Sequence, residues 1–198
     1  MKTVEFRRHS IRGEAKDLSP YGLQLAREAR RSLQESYALV LSSPKKSCRQ
    51  TLEAFGFRRF LIETRLGPLD YGPFDDFEKA IRKTRRKKQL SWIEAAFRVP
   101  EALQALRDAS RLAARTASDI ASFLKDGESA LAVTHSDVPE LAALSVGPAF
   151  DLKQLGRPLS FCEGVALRFE GDKLVRADVL RLAHPAAKQR APEPALVG

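Results

Sequence analysis

Short apolar runs alternate along this chain with longer segments of helical periodicity. The clearest run lies at residues 129–134, where Ala-Leu-Ala-Val is continuously apolar, as is typical of a strand buried on both faces of a parallel sheet. Three further runs are predicted as strands, at residues 4–6, 37–41 and 60–62. Because strands that alternate with helices form sheets covered by helices, the pattern predicts an α/β fold.

The predicted architecture is a three-layer sandwich with a mostly parallel central sheet and helices on both faces. Helices are predicted at residues 20–35, 44–57, 100–125 and 138–144, with a helical insertion at about 75–100. Residues 164–170 and 174–180 alternate around Gly171-Asp172, which predicts a C-terminal β-hairpin. We expect one domain over residues 1–184 and a mobile tail over the proline-containing residues 185–198.

The net charge of +9 favours an anionic ligand. A basic block over residues 79–88 contributes much of this charge, and we interpret it as a solvated helix face that could also steer acidic ligands. Nucleic acid is disfavoured as a partner, because the sequence has no aromatic and basic motif for base stacking. An anionic small substrate remains the expected partner.

Other classes of protein are excluded by what the sequence lacks. It has no run of 18 apolar residues to span a membrane and no apolar core of a signal peptide near residue 1, so we expect a cytoplasmic protein. Cys48 and Cys162 form neither a disulfide framework nor a metal set. Three histidines without a Cys-x-x-Cys motif argue against structural zinc, so no metal is expected.

Polar side chains follow three of the predicted strands. Arg8-His9 follows the first strand, Ser42-Ser43-Pro44 the second, and Thr134-His135 the fourth. Because the carboxyl ends of such strands converge on the ligand crevice, we expect His9 and His135 to meet there. A neutral imidazole is a nucleophile near neutral pH, and an adjacent guanidinium suits a phosphoryl group. The alternative for residues 4–12 alone is a basic edge strand with a solvated histidine.

Five motifs in order resemble those of the histidine phosphatase superfamily, the phosphoglycerate mutase-like group. They are Arg8-His9-Ser10, the segment at residues 18–26, Leu41-Ser42-Ser43-Pro44 with Gln50-Thr51, the loop with Arg65-Leu66, Asp70-Tyr71-Gly72 and Phe74-Asp75, and Val133-Thr134-His135. The resemblance covers most of the chain. It implies that His9 is a nucleophile that becomes phosphorylated, that Arg8 clamps the phosphate and that His135 is the second histidine of the pocket. It implies no metal or organic cofactor.

The chain departs from the family pattern at four positions. Ser10 and Ser136 replace the glycines that follow each histidine, and we expect their Cβ atoms to crowd the pocket or strain the backbone. Ser47 occupies the place of a phosphate-binding arginine, and Pro68 that of a glutamic acid that donates protons.

Other residues are expected to replace the lost groups. Arg12 is predicted to turn inward and bind phosphate together with Ser43 and Ser136, whereas Arg49 should point elsewhere on its helix. The candidate proton donors are, by sequence alone, Asp70, Asp75, Asp76 and Asp137, of which Asp75 and Asp137 are preferred. Asp137 also has the spacing of a helix N-cap that forms a capping box with Glu140.

Two functions remain open at this point. The first is a phosphatase that hydrolyses a phosphomonoester or phosphoramidate through a phosphohistidine on His9. The second is a catalytically weakened relative that binds phosphorylated ligands or protein partners, which Ser47 and Pro68 favour. Arg8, His9 and His135 favour the phosphatase, and Pro68 argues against mutase activity.

Overall fold

A computed structural model describes residues 1–13, 16–68, 75–88, 92–147 and 152–183 of the chain. The predicted tail at residues 185–198 and the predicted proton donor Asp70 lie outside the described residues.

Six strands form a single mixed sheet in the order β3-β2-β4-β1-β5-β6. The strands are β1 (Lys2–Arg8), β2 (Leu39–Ser42), β3 (Leu61–Ile62), β4 (Ser129–Thr134), β5 (Gly164–Glu170) and β6 (Lys173–Leu180). The first four are parallel, and β5 and β6 form an antiparallel hairpin at the edge. The predicted mostly parallel sheet and C-terminal hairpin are confirmed.

The described helices are α1 (Pro20–Ala29), α2 (Lys46–Ala54), α3 (Asp75–Lys88), α4 (Trp92–Ala96), α5 (Leu103–Ser122), α6 (Val138–Leu144) and α7 (Leu152–Leu155). Short 3₁₀ turns lie at Arg30–Ser32, Thr64–Leu66 and Pro100–Ala102. Helices α3 and α4 occupy the predicted insertion. None of the helices in the described part of the chain combines the length and apolarity needed to cross a bilayer.

The end of α1 and the start of α2 differ from their predicted positions for local reasons. Helix α1 ends at Ala29 and not near residue 35, because the Ser32 hydroxyl donates to the Ala29 carbonyl and the chain tightens into a 3₁₀ turn. Helix α2 begins at Lys46 and not at Pro44, since extended Lys45 is its N-cap residue.

The two faces of the sheet pack against different helices. Val4 and Phe6 face a core cluster that includes buried side chains of α5 and α6. Leu131 and Val133 face a second cluster that includes α1 and α2. Alternate residues along a strand point to opposite faces, so this division confirms the predicted three-layer sandwich.

A buried ion pair lies on the α1 and α2 face of β1. Arg7 is 1% exposed, and its Nε donates to the Glu5 carboxylate at 2.5 Å. The rest of the guanidinium donates to the carbonyls of Cys162 and Ser32, and the Tyr37 hydroxyl donates to Glu5 at 2.8 Å. Every group of the pair therefore has a partner, which a buried charge requires. The network fixes Glu5 and Arg7 of β1, directly before Arg8 and His9.

The register of the sheet places the three polar turns side by side. Arg8 lies opposite Thr134 in the β1–β4 pair, so His9 and His135 leave neighbouring parallel strands at the same level. Ser42 lies opposite Val133, which puts Ser43 at the same edge. The carboxyl edge of the sheet is therefore where the predicted site must lie.

We predict that Gly164→Ala disrupts this arrangement. A Cβ at Gly164 would lie 1.8 Å from the Phe6 carbonyl oxygen, so β5 could not stay paired with β1. The free energy of unfolding should fall by about 3 kcal/mol, the upper range for an overpacked site, as measured by urea denaturation. Gly13→Ala is the matched control, because its Cβ would meet nothing closer than 3.7 Å. Wild-type stability of the Gly164→Ala protein would contradict the β1–β5 pairing.

Candidate active site

His9 is held in one tautomer by the backbone beside it. Its Nδ1 lies 2.6 Å from the Ser10 carbonyl oxygen, which can only accept a hydrogen bond. Nδ1 therefore carries the ring proton, and Nε2 keeps its lone pair. The backbone N–H of His9 donates to the Thr134 carbonyl at 2.9 Å, so the residue is anchored to the next strand. A buried imidazole with a free Nε2 lone pair has the electronic form of a nucleophile.

His135 lies beside His9, as the sequence predicts. The two ring centroids are 5.4 Å apart and the ring planes are inclined by 69°. The Nε2 atom of His135 lies 3.0 Å from the Ser43 hydroxyl oxygen and 3.7 Å from the Cys48 sulfur. The predicted convergence of the two histidines is confirmed, and both rings are close enough to contact one bound oxyanion.

Both imidazoles are neutral at physiological pH. Burial lowers the pKa of His9 to about 4, assisted by the charges of Arg8 and Arg12 and opposed by the hydrogen bond to Ser10. Burial also lowers the pKa of His135 to about 3, with further contributions from His9, Arg12, Lys45 and Arg8. Burial is therefore the main cause of both pKa shifts, and the nearby cations add to it. The same cations would attract a phosphate.

Arg8 is fixed on two sides. Its guanidinium carbon lies 4.2 Å from the centroid of the Phe161 ring, and one terminal nitrogen donates to the Leu159 carbonyl at 2.8 Å. Its buried Nε–H has no hydrogen-bond partner among the described residues. The Phe161 ring also lies 6.1 Å from the His9 ring, so the arginine and the histidine share one aromatic wall. The Nε–H is thus a donor suited to an anionic oxygen near His9.

The loop at residues 155–163 that holds Arg8 is itself fastened by a buried carboxylate. Glu163 is fully buried and accepts from both guanidinium nitrogens of Arg157, from Arg181, and from the backbone N–H of Ser160 and of Leu182. Burial alone would raise the pKa of Glu163, but these donors lower it to about 2. A carboxylate this well satisfied stabilises the loop conformation.

Glu140 is a carboxyl that sequence reasoning assigned to the wrong role. The predicted capping box is absent, because Asp137 makes no side-chain cap hydrogen bond and Glu140 accepts from the backbone N–H of Leu159 at 3.0 Å. Glu140 is 7% exposed, and burial raises its pKa to about 7 while Arg8 opposes this shift. The spacing of Glu140 from Asp137 predicted a capping box, whereas the Glu140 side chain contacts the loop that holds Arg8.

The predicted anion-binding residues take different positions. Arg12 is exposed and its backbone forms a short β-bridge with Leu18, so its expected inward turn and phosphate contact stay predictions. Its charge nevertheless lowers the pKa of both histidines, so it lies near the pair. Ser136 is exposed directly after His135, and Arg49 is exposed on α2.

The two serine replacements are accommodated without strain at the histidines. The Ser10 hydroxyl donates to the Gly22 carbonyl at 2.6 Å, and its backbone N–H donates to the Thr51 hydroxyl. Among the described residues other than glycine, positive φ angles occur at Lys16 and Cys162, and neither follows a histidine. The expected strain at Ser10 and Ser136 is therefore wrong. Ser47 is buried in α2, where its carbonyl accepts from Thr51.

The two preferred proton donors, Asp137 and Asp75, lie on different elements of the fold. Asp137 is partly buried, and its charge acts on both Arg8 and Glu140, so it lies near the edge of the site. Asp75 is the first residue of α3, and its side chain lies outside what the structure describes, as does that of Asp76.

The low pKa values of His9 and His135 predict that neither ring takes up a proton between about pH 8 and about pH 5, where an ordinary histidine titrates. NMR titration of the assigned ring signals would measure this. Because the unfolded chain binds these protons near pH 6.5, the free energy of unfolding should fall as the pH drops below about 6.5. A midpoint near pH 6.5 for either ring would contradict the buried geometry.

The chain matches the model of one protein family. Residues 6–174 match the model of the histidine phosphatase superfamily (branch 1). The sequence matches none of the curated proteins with which it was compared.

Several solved structures share the fold at low sequence identity. A phosphoserine phosphatase from Entamoeba histolytica, in complex with 3-phosphoglyceric acid, is 14% identical with a TM-score of 0.64, over 92% of this chain and 98% of that one. A phosphoglycerate mutase from Bacillus anthracis is 16% identical with a TM-score of 0.63, over 89% and 90%. A putative α-ribazole-5′-P phosphatase from Escherichia coli is 16% identical with a TM-score of 0.58, over 90% and 95%.

The family match spans most of the chain, and the fold agrees with it. The chain therefore belongs to the histidine phosphatase superfamily, branch 1.

Proposed function

We propose that this protein is a phosphatase that hydrolyses a phosphomonoester or phosphoramidate through a phosphohistidine on His9. The observation that supports it most strongly is the His9 ring, whose Nδ1–H is committed to the Ser10 carbonyl and whose Nε2 is unprotonated at neutral pH. The second imidazole, 5.4 Å away, and the Arg8 guanidinium complete a pocket for a transferring phosphoryl group.

The reaction has two steps. In the first, the Nε2 lone pair of His9 forms a bond to phosphorus while the bond from phosphorus to the leaving oxygen or nitrogen breaks and its electron pair departs with that atom. In the second, a water oxygen attacks phosphorus, the P–N bond to His9 breaks, and inorganic phosphate and a neutral His9 result. Arg8 and His135 donate hydrogen bonds to the non-bridging oxygens, where charge develops in both steps.

The cations around the pocket favour an anionic substrate. Arg12 and Lys45 are exposed, yet both act on the His135 ring, so they lie at the mouth of the site. We assign Arg12 to initial phosphate binding, with Ser136 at the same rim. One solved structure that shares the fold, the phosphoserine phosphatase from Entamoeba histolytica, is in complex with 3-phosphoglyceric acid, a small phosphorylated anion. We therefore propose a small phosphorylated metabolite as the substrate class.

The site has no carboxyl that is clearly placed to protonate the leaving group among the described residues. Pro68 cannot donate a proton, and Asp137 is a partly buried carboxyl at the edge of the site. Glu140 has a raised pKa of about 7, so a fraction is protonated at neutral pH, but it is engaged with the loop that holds Arg8. General acid catalysis typically raises the rate about 10²–10⁴-fold. An enzyme with a poor general acid should therefore prefer substrates whose leaving groups need little protonation.

The test compares substrates and one variant. Wild-type protein should hydrolyse p-nitrophenyl phosphate and a phosphoramidate faster than an alkyl phosphate such as glycerol phosphate, by about 10²-fold or more in kcat/KM, because the alkyl leaving group needs the acid. His9→Ala should abolish hydrolysis of all three, because the attacking atom is lost. Phosphate release is the measurement.

Arg49→Ala is the control for the loss of a side chain outside the site, because Arg49 is exposed on α2. This variant should retain wild-type rates. His9→Ala protein must also unfold at the wild-type temperature. Equal rates for wild type and His9→Ala would reject the phosphatase. Tight phosphate binding without any turnover would instead support the weakened relative that binds phosphorylated ligands.

A further inference from the structure

The contact between Ser43 and His135 is not explained by a direct phosphate-binding role for Ser43. The Ser43 hydroxyl oxygen lies 3.0 Å from Nε2 of His135, and Ser43 is fully buried. Its backbone N–H donates to the Val133 carbonyl at 3.0 Å, which ties the residue to the strand that carries His135. The two side chains are therefore held together by the sheet itself.

The hydrogen bonds around the hydroxyl decide which atom donates. The backbone N–H of Lys45 donates to the Ser43 oxygen at 3.3 Å, which occupies one of its lone pairs. A buried O–H must donate somewhere, because an unsatisfied buried donor is costly. The described acceptors within reach are the imidazole Nε2 of His135 and the sulfur of Cys48, and sulfur is a weak acceptor. The Ser43 O–H therefore donates to Nε2.

Cys48 does not compete for that nitrogen as a donor. Its sulfur lies 3.6 Å from the Thr134 carbonyl oxygen, to which the S–H donates, and 3.7 Å from Nε2 of His135. Burial raises the pKa of the Cys48 thiol to about 12, so it remains protonated at neutral pH. The thiol and the serine together leave Nε2 without a proton of its own.

We propose that Ser43 is a positioning residue that holds neutral His135 in the Nδ1–H tautomer, so that Nδ1–H is the donor this ring offers to a phosphoryl oxygen. This inference deepens the proposed function and rests on it for its catalytic consequence. The opposite tautomer would direct the only N–H of the ring at Ser43 and leave a lone pair to repel an anionic oxygen. The two histidines thus carry complementary forms. His9 offers a bare Nε2, and His135 offers an N–H.

The direct test is the tautomer of His135 in the wild-type protein. In ¹⁵N-labelled protein at neutral pH, ring nitrogen and proton correlations should show His135 protonated at Nδ1 and bare at Nε2. His9, also protonated at Nδ1 but by contact with a carbonyl, serves as the internal reference. A His135 ring protonated at Nε2 would overturn the proposal. This result does not depend on whether the protein hydrolyses any substrate.

Three variants test the role of the hydroxyl. Ser43→Ala should release the tautomer preference and lower kcat for p-nitrophenyl phosphate about tenfold with little change in KM, as expected for the loss of one hydrogen bond. Ser43→Thr keeps the hydroxyl and should restore the Nδ1–H form. Ser42→Ala is the matched control, because Ser42 is equally buried on β2 but its hydroxyl donates to the Ser43 carbonyl and not to His135.

The outcomes separate this inference from the proposed function. The positioning role is supported if wild-type His135 is protonated at Nδ1, if Ser43→Ala loses this preference and if Ser42→Ala keeps it. This holds even if no phosphatase activity is found. Phosphatase activity with an unchanged His135 tautomer and unchanged kcat in Ser43→Ala overturns the positioning role and leaves the phosphatase intact.

Discussion

The parallel pairing of β1 with β4 is the constraint on which the rest of the site depends. Because Arg8 lies opposite Thr134, the next residue of each strand is a histidine, and the two rings come within 5.4 Å. A shift of this register by one residue would send His9 to the other side of the sheet. The close approach of Gly164 to Phe6 fixes the pairing of β1 with β5, and the buried Glu5–Arg7 pair anchors β1 to Cys162, Ser32 and Tyr37.

Burial keeps both imidazoles neutral, and their different surroundings place the ring proton so that His9 and His135 have different roles. Burial and nearby cations keep both rings neutral, and backbone and serine partners decide where each proton resides. Arg8 is held against Phe161 by the loop that Glu163 and Glu140 fasten. These contacts keep Arg8 and the two imidazoles in fixed positions around the proposed anion site.

The sequence predicted the sheet, the hairpin and the meeting of the two histidines, because apolar periodicity and strand ends are local signals. It did not predict the role of Glu140, since its spacing after Asp137 equally fits a capping box, and only tertiary contact turns it toward Leu159. Glu163 forms ion pairs with Arg157 and Arg181. Ion pairs between separate segments leave no periodic pattern in the sequence, so they could not be predicted from it. Backbone strain at Ser10 was expected from the family pattern, but its φ angle is not positive, and its hydroxyl donates to the Gly22 carbonyl of α1.

The proposed reaction requires that a phosphoryl group is transferred to His9. The most direct measurement is to mix wild-type protein with p-nitrophenyl phosphate, quench in alkali, which preserves phosphohistidine, and locate the adduct by peptide mass spectrometry. We expect a phosphoryl group on the peptide that contains His9, released as inorganic phosphate at the rate of turnover. Steady turnover with no adduct, or an adduct on a residue other than His9, would contradict it.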